Sequence, residues 1–103
     1  VDLLPPTPDP MTWASEPKEV RIGTGTFDYY AQMTAAEASD DSGDVEYFFQ
    51  CTTESGFSSG WQKSRDYSVK VGRTGQRHRF RVKARDLSPS RNETGWSIEL
   101  PAK

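Results

Sequence analysis

One hundred and three residues, with 13 Lys and Arg against 15 Asp and Glu and a net charge of −2, suffice for one domain with a single core and not for two. The slight acidity argues against nucleic acid, whose phosphate footprint comes with a net positive domain, and no apolar run approaches membrane-spanning length. Leu, Ile, Val and Phe number only 17, so the core is expected to be carried by the 12 Phe, Tyr and Trp rings, each of which buries a large area.

Seven Pro, eight Gly and many Ser, Thr and Asp separate short alternating runs, and no long 3.6-residue apolar stripe interrupts them, which predicts an all-β domain with almost no helix. Residues 1–10 hold the Pro-rich stretch Pro5-Pro6-Thr7-Pro8-Asp9-Pro10, expected to be a stiff lead-in ahead of a domain over 11–103. Met11 and Trp13 open a first edge strand that reaches Pro17 and resumes through Val20 and Ile22 after a bend. Phe27, Tyr29, Ala31 and Met33 alternate with Asp28, Tyr30, Gln32 and Thr34 in a second strand. The loop Asp40-Asp41-Ser42-Gly43-Asp44 precedes the strand Val45 to Cys51, whose period places Phe48 away from the core. Trp61-Gln62 is a short edge strand after a Gly/Ser loop, and Tyr67, Val69 and Val71 mark another strand.

In His78 to Asp86 the period is strict. Arg79, Arg81, Lys83 and Arg85 alternate with His78, Phe80, Val82 and Ala84, so a strand lines the cations up in one row on its exposed face. Trp96, Ile98 and Leu100 form the last strand. Seven short strands at this spacing predict a seven-stranded antiparallel β-sandwich.

The run His78 to Ala84, preceded by a Gly-bearing turn, resembles the sixth strand of fibronectin type III modules, an immunoglobulin-like family. The likeness spans about residues 8 to 102. Ala38 to Gly43, Tyr47 to Thr52, Ser59-Gly60-Trp61-Gln62 and Arg85-Asp86 through Asn92 to Ser97 are similar to a subtype found in secreted multidomain bacterial proteins that degrade polysaccharides. The chain departs from the family at three positions. His78 stands where the family places a Tyr that ties the sixth strand to the preceding corner, Gly72 where a Leu plugs the core, and Met33 where a core Trp is common. His78 is expected to point into the sandwich, and Trp13 or Trp61 to fill the space beside Met33.

Three candidate sites emerge. On the basic face, Arg79, Arg81, Lys83 and Arg85 with the neighbouring Phe48 and Gln50, and Glu46 beside them, suit sulfate or carboxylate groups of a polysaccharide; cross-strand ion pairing explains the same pattern. At one pole the resemblance brings two loops together, so Asp40, Asp41 and Asp44 face Asp86, Asn92 and Glu93 with oxygen ligands for a calcium ion; ordinary turn chemistry explains these residues equally. Among the aromatics, Trp13, Trp96 and Tyr29 are needed for the core. Trp61, Tyr30 and Phe57 are left as surface rings, with Trp61 the best placed to stack on a sugar.

Catalysis has little support. The one His, His78, and the one Cys, Cys51, are both expected inside, and no P-loop, dinucleotide fingerprint or metalloenzyme cluster is present. Asn92-Glu93-Thr94 matches a glycosylation sequon, expected to be fortuitous in a bacterial protein. A chain opening on Val1 with no leader sequence reads as an excised module whose export signal lies elsewhere. The resemblance thus implies a non-catalytic, monomeric accessory module of an exported or cell-surface protein. Its partners would be neighbouring domains of the same polypeptide, with no membrane and no cofactor other than a calcium ion at the acidic pole. The alternative is a carbohydrate-binding module for an acidic or sulfated polysaccharide.

Overall fold

The structure, a computed structural model, describes residues 5–25, 28–40, 43–73, 78–89 and 91–102. Its strands are β1 (Trp13–Arg21), β2 (Tyr29–Ala35), β3 (Val45–Cys51), β4 (Gly60–Gln62), β5 (Asp66–Gly72), β6 (Arg79–Asp86) and β7 (Leu100–Pro101). The fold is all-β: one 3-10 turn over Ser55–Phe57 is the only helical element among the described residues. Two antiparallel sheets form, in the orders β1-β2-β5 and β4-β3-β6-β7.

Alternation decides which side chains meet between the sheets. Ala31, Met33 and Ala35 of β2, Tyr47, Phe49 and Cys51 of β3, and Phe80, Val82 and Ala84 of β6 are all buried, with Met11, Val71 and Ala102 closing the cluster. Rings carry less of this core than composition predicts: of the thirteen buried hydrophobic residues among those described, only Tyr47, Phe49 and Phe80 are aromatic and five are Ala, with Trp13, Tyr29, Phe57 and Tyr67 packed against them partly buried. Phe49 is fully buried, stacks on Tyr67 at 5.4 Å between centroids and packs against Trp13 at 6.2 Å. Of Trp13 and Trp61, the two candidates for the space beside Met33, it is therefore Trp13 that lies against the core. Gly72 ends β5 at φ +89°, a left-handed turn conformation that a Leu would resist. Phe27, expected in the second strand, lies outside the described residues.

β1 is irregular. Its register against β2 shifts between Trp13 and Ser15 and again between Ser15 and Lys18, with Pro17 buried in the interruption. Pro lacks an N–H for the ladder, so the strand bends there and resumes. The resumption stops at Arg21. Ile22, expected to extend the strand, turns away with its N–H donated to the Asp28 carbonyl at 2.9 Å and its side chain half exposed.

The last strand differs more. Only Leu100–Pro101 is regular, because hydroxyls replace ladder pairing upstream. The Ala84 N–H donates to Thr94 Oγ1 at 3.0 Å and the Val82 N–H to Ser97 Oγ at 2.9 Å, while the Thr94 and Ser97 N–H groups return to the Ala84 and Val82 carbonyls, each at 2.8 Å. Thr94 and Ser97, not Trp96, are therefore the buried residues of this segment, and Ile98 is 70% exposed. Ser97→Ala would strand the buried Val82 N–H. It should cost about 1 kcal/mol of stability, measured by urea unfolding against the parent chain.

Residues 5–10 lie against the domain. Pro6 is fully buried, Thr7 and Ser39 exchange backbone hydrogen bonds of 2.9 and 3.0 Å, and the Gly95 N–H donates to Asp9 Oδ1 at 2.7 Å. The described chain thus enters at the pole that holds Ser39, Val45 and Asp86. It leaves at the other pole, where Pro101 pairs with Arg79 and the Ala102 N–H donates to the His78 carbonyl.

Candidate functional site

The basic row lies where its period placed it. On β6, Arg79, Arg81, Lys83 and Arg85 point outward between fully buried neighbours, and the register sets Glu46 opposite Arg85, Phe48 opposite Lys83 and Gln50 opposite Arg81. Each cation already has a partner within the domain. Arg79 Nε donates to Glu99 at 2.6 Å, Arg81 Nε to Gln50 Oε1 at 2.7 Å, Lys83 Nζ sits 2.7 Å from Glu93, and the Arg85 guanidinium reaches Glu46 at 2.9 Å. The Arg79 guanidinium, with the Thr52 hydroxyl, holds the Glu99 carboxyl below its usual pKa.

Two indoles interleave with these cations. Trp96 lies under the Arg81 guanidinium at 4.1 Å and near the Lys83 ammonium at 4.6 Å. Trp61 takes Arg85 at 4.2 Å and Lys83 at 5.7 Å. Phe48 stands edge-on between the indoles, 5.4 Å from Trp61 and 5.9 Å from Trp96. The sequence Arg81, Trp96, Lys83, Trp61, Arg85 is therefore one continuous cation–π ladder, with Phe48 and Gln50 filling in from β3. Lys83 and Arg85 keep only 23% of their side-chain surface exposed. Of the residues proposed for anion binding, all seven are brought together, but their charges and ring faces are spent largely on one another. Trp96, expected in the core, joins this face instead. Gly95 and the inward-turned Thr94 and Ser97 reset the alternation.

At the Ser39 pole, Asp86 is fully buried and works as a loop clasp. Its Oδ1 accepts from the Ser88 N–H at 3.2 Å, the Ser88 hydroxyl at 2.8 Å and the Asn92 N–H at 3.0 Å, and its Oδ2 accepts from Asn92 Nδ2 at 2.9 Å. Burial pushes the Asp86 pKa up, but the bonds from Ser88 and Asn92 outweigh it and hold the carboxyl below its ordinary value. Glu93 turns to Lys83, the Asp40 carbonyl accepts the Gly43 N–H at 3.0 Å, and Asp44 is exposed. Asp41 lies outside the described residues. Among the described residues no three His, Cys, Asp or Glu side chains converge as a set of metal ligands. The amide of Asn92 in the sequon is the one committed to Asp86.

At the opposite pole His78 is half-buried and caps the sandwich instead of entering it: its ring meets the edge of Phe57 at 4.9 Å and its Nδ1 lies 3.0 Å from Thr53 Oγ1. Phe57, expected as a surface ring, packs against the core instead, and its carbonyl accepts the Tyr67 hydroxyl at 2.6 Å. Burial, then the nearby Cys51 thiol, raises the Tyr67 pKa. Cys51 is buried and carries no disulfide. No helix among the described residues is long and apolar enough to cross a membrane. Comparison of the chain with protein-family models, with curated proteins and with solved structures gave no match.

Proposed function

We propose that this chain is a fibronectin type III-like, non-catalytic accessory module of an exported bacterial multidomain protein, spacing a catalytic domain from other modules. The observation that carries this reading is the path of the backbone. Entry beside Ser39 and exit beside His78 lie at opposite poles, separated by the length of β6, roughly 25 Å for eight extended residues. Domains attached at those two points would be held apart along the strand direction by hydrogen-bonded sheet.

Two further features support it. The sheet orders β1-β2-β5 and β4-β3-β6-β7 suit the resemblance in sequence, and the ladder on the outer face pairs its cations internally. A self-paired face offers little to an anionic polysaccharide, because a ligand must first displace bonds the domain already makes.

Affinity electrophoresis tests the reading. Arg81→Ala and Trp61→Ala domains, each normalised to its own mobility in a polysaccharide-free gel, should migrate like the parent through neutral, carboxylated and sulfated polysaccharide gels, with and without calcium. Retardation of the parent that either substitution abolishes would make the outer face of β6 a binding site and displace the spacer reading.

A further inference from the structure

The opposite face of the molecule carries a groove to which the sequence drew no attention. It lies on the outer side of β1-β2-β5, is about 390 Å³ in volume, and is lined by Ser15 and Lys18 of β1, Gln32 and Thr34 of β2, and Asp66 and Ser68 of β5. Its position follows from the bend in β1: where the register slips around Ser15 and Pro17, the edge strand no longer lies evenly along β2 and a depression opens.

The polar groups around it differ from those of the ladder. Ser15, Lys18, Gln32 and Ser68 make no side-chain hydrogen bond, ion pair or ring contact within the described chain, whereas the Thr34 hydroxyl donates to Asp66 Oδ1 at 2.7 Å and orients that carboxylate. The rim therefore presents two hydroxyls and an amide, each both donor and acceptor, plus one ammonium donor and one carboxylate acceptor. One positive and one negative group leave it with no net charge. A ligand rich in groups that donate and accept at once matches this rim, and vicinal hydroxyls do so without adding charge to a site that is already balanced. Tyr30 stands two residues from Gln32 on the same face of β2, roughly 7 Å along the strand. Half-buried between Val20 and Lys70, its partners in register on β1 and β5, it offers a ring beside the groove.

We infer that this groove binds a short run of neutral hexoses, with Gln32, Ser68 and Lys18 hydrogen-bonding one sugar and Tyr30 stacking on the next. The inference goes beyond the spacer role and does not depend on it, since the groove and the ladder are on different sheets.

The test is a titration of the isotope-labelled 103-residue chain with cellotetraose, laminaritetraose, mannotetraose and, for contrast, tetragalacturonate, following backbone amides by NMR. Saturable shifts confined to residues around Ser15, Gln32 and Ser68, with one neutral tetrasaccharide bound more tightly than the uronate, are expected. Gln32→Ala and Ser68→Ala, both on the outer face and harmless to the core, should each weaken binding roughly tenfold, the worth of about one hydrogen bond. Absence of saturable shifts with all three neutral sugars would overturn the inference. So would binding that Gln32→Ala and Ser68→Ala both leave intact, or a preference for the uronate. Arg81→Ala should change nothing at this groove, so failure of the groove and failure of the spacer reading register in different variants.

Discussion

Asp86→Ala should cost about 3 kcal/mol of folding stability, well above the loss expected for Ser97→Ala. The carboxylate is fully buried and has no ion pair among the described residues, so its charge is balanced by four hydrogen bonds from Ser88 and Asn92. Removing it leaves those donors facing an apolar hole at the end of β6. It also releases the turn in which Arg91 is held at φ +48°, an unfavourable region for a non-glycine residue. Asp86→Asn is the milder test. Its oxygen can keep the three bonds to Oδ1, but its amide nitrogen would meet the Asn92 amide donor to donor, and a loss of about 1 to 2 kcal/mol is expected.

The pH dependence has a definite sign. Because the folded-state pKa of Asp86 lies below that of the unfolded chain, its stabilisation is fully present above the unfolded value, about 3.9, and is lost as pH falls through the folded value. The stability gap between the parent and Asp86→Asn should therefore be wide at neutral pH and narrower at about pH 3. Urea unfolding at both pH values measures it. A gap that stays constant in acid would mean that the clasp does not depend on the charge, and one that widens would mean that folding raises the Asp86 pKa instead of lowering it.

Trp96→Ala is the second large effect, expected at about 2 to 3 kcal/mol. The ring is half-buried, so its loss falls below that of a core Trp, but it also removes the edge contact with Phe48 and the stacking of Arg81 and Lys83. With Trp96 gone, the two cations lose a shared face and Phe48 is uncovered on one side. Lys83→Met, which keeps the stem against both indoles and removes only the charge, should cost under about 1 kcal/mol. Thermal and urea unfolding of both variants decide between two roles for the ring. A Trp96→Ala domain within about 0.5 kcal/mol of the parent would mark the indole as a free platform and not a rung of the ladder.

Much of the fold was legible because strand periodicity is local. Val45 to Cys51 and Arg79 to Asp86 alternate without interruption, so their inward and outward faces follow from residue order alone. The same reasoning failed at Trp96. Apolar residues at 96, 98 and 100 look like one face of a strand, yet Thr94 and Ser97 use their hydroxyls to bond β6, and that spacing of three reverses the direction of the indole. Phe57 and His78 were misplaced for a related reason. Both lie outside regular strands, where no period fixes direction, and they find each other across the end of the sandwich.

The candidate site divides along the same line. That four cations share a face is a property of the sequence, since alternation needs no tertiary contact. Whether those cations are available is not, because their partners come from sites as remote as Glu46, Trp61, Glu93, Trp96 and Glu99, delivered by three other segments of chain. The groove by Gln32 lies further still from what residue order can show: it exists because β1 slips against β2 at Ser15 and Pro17. Strand identity and facing are local consequences of a two-residue period, whereas pairing, burial of charge and the shape of a surface depend on which distant segments the packed sheets bring together.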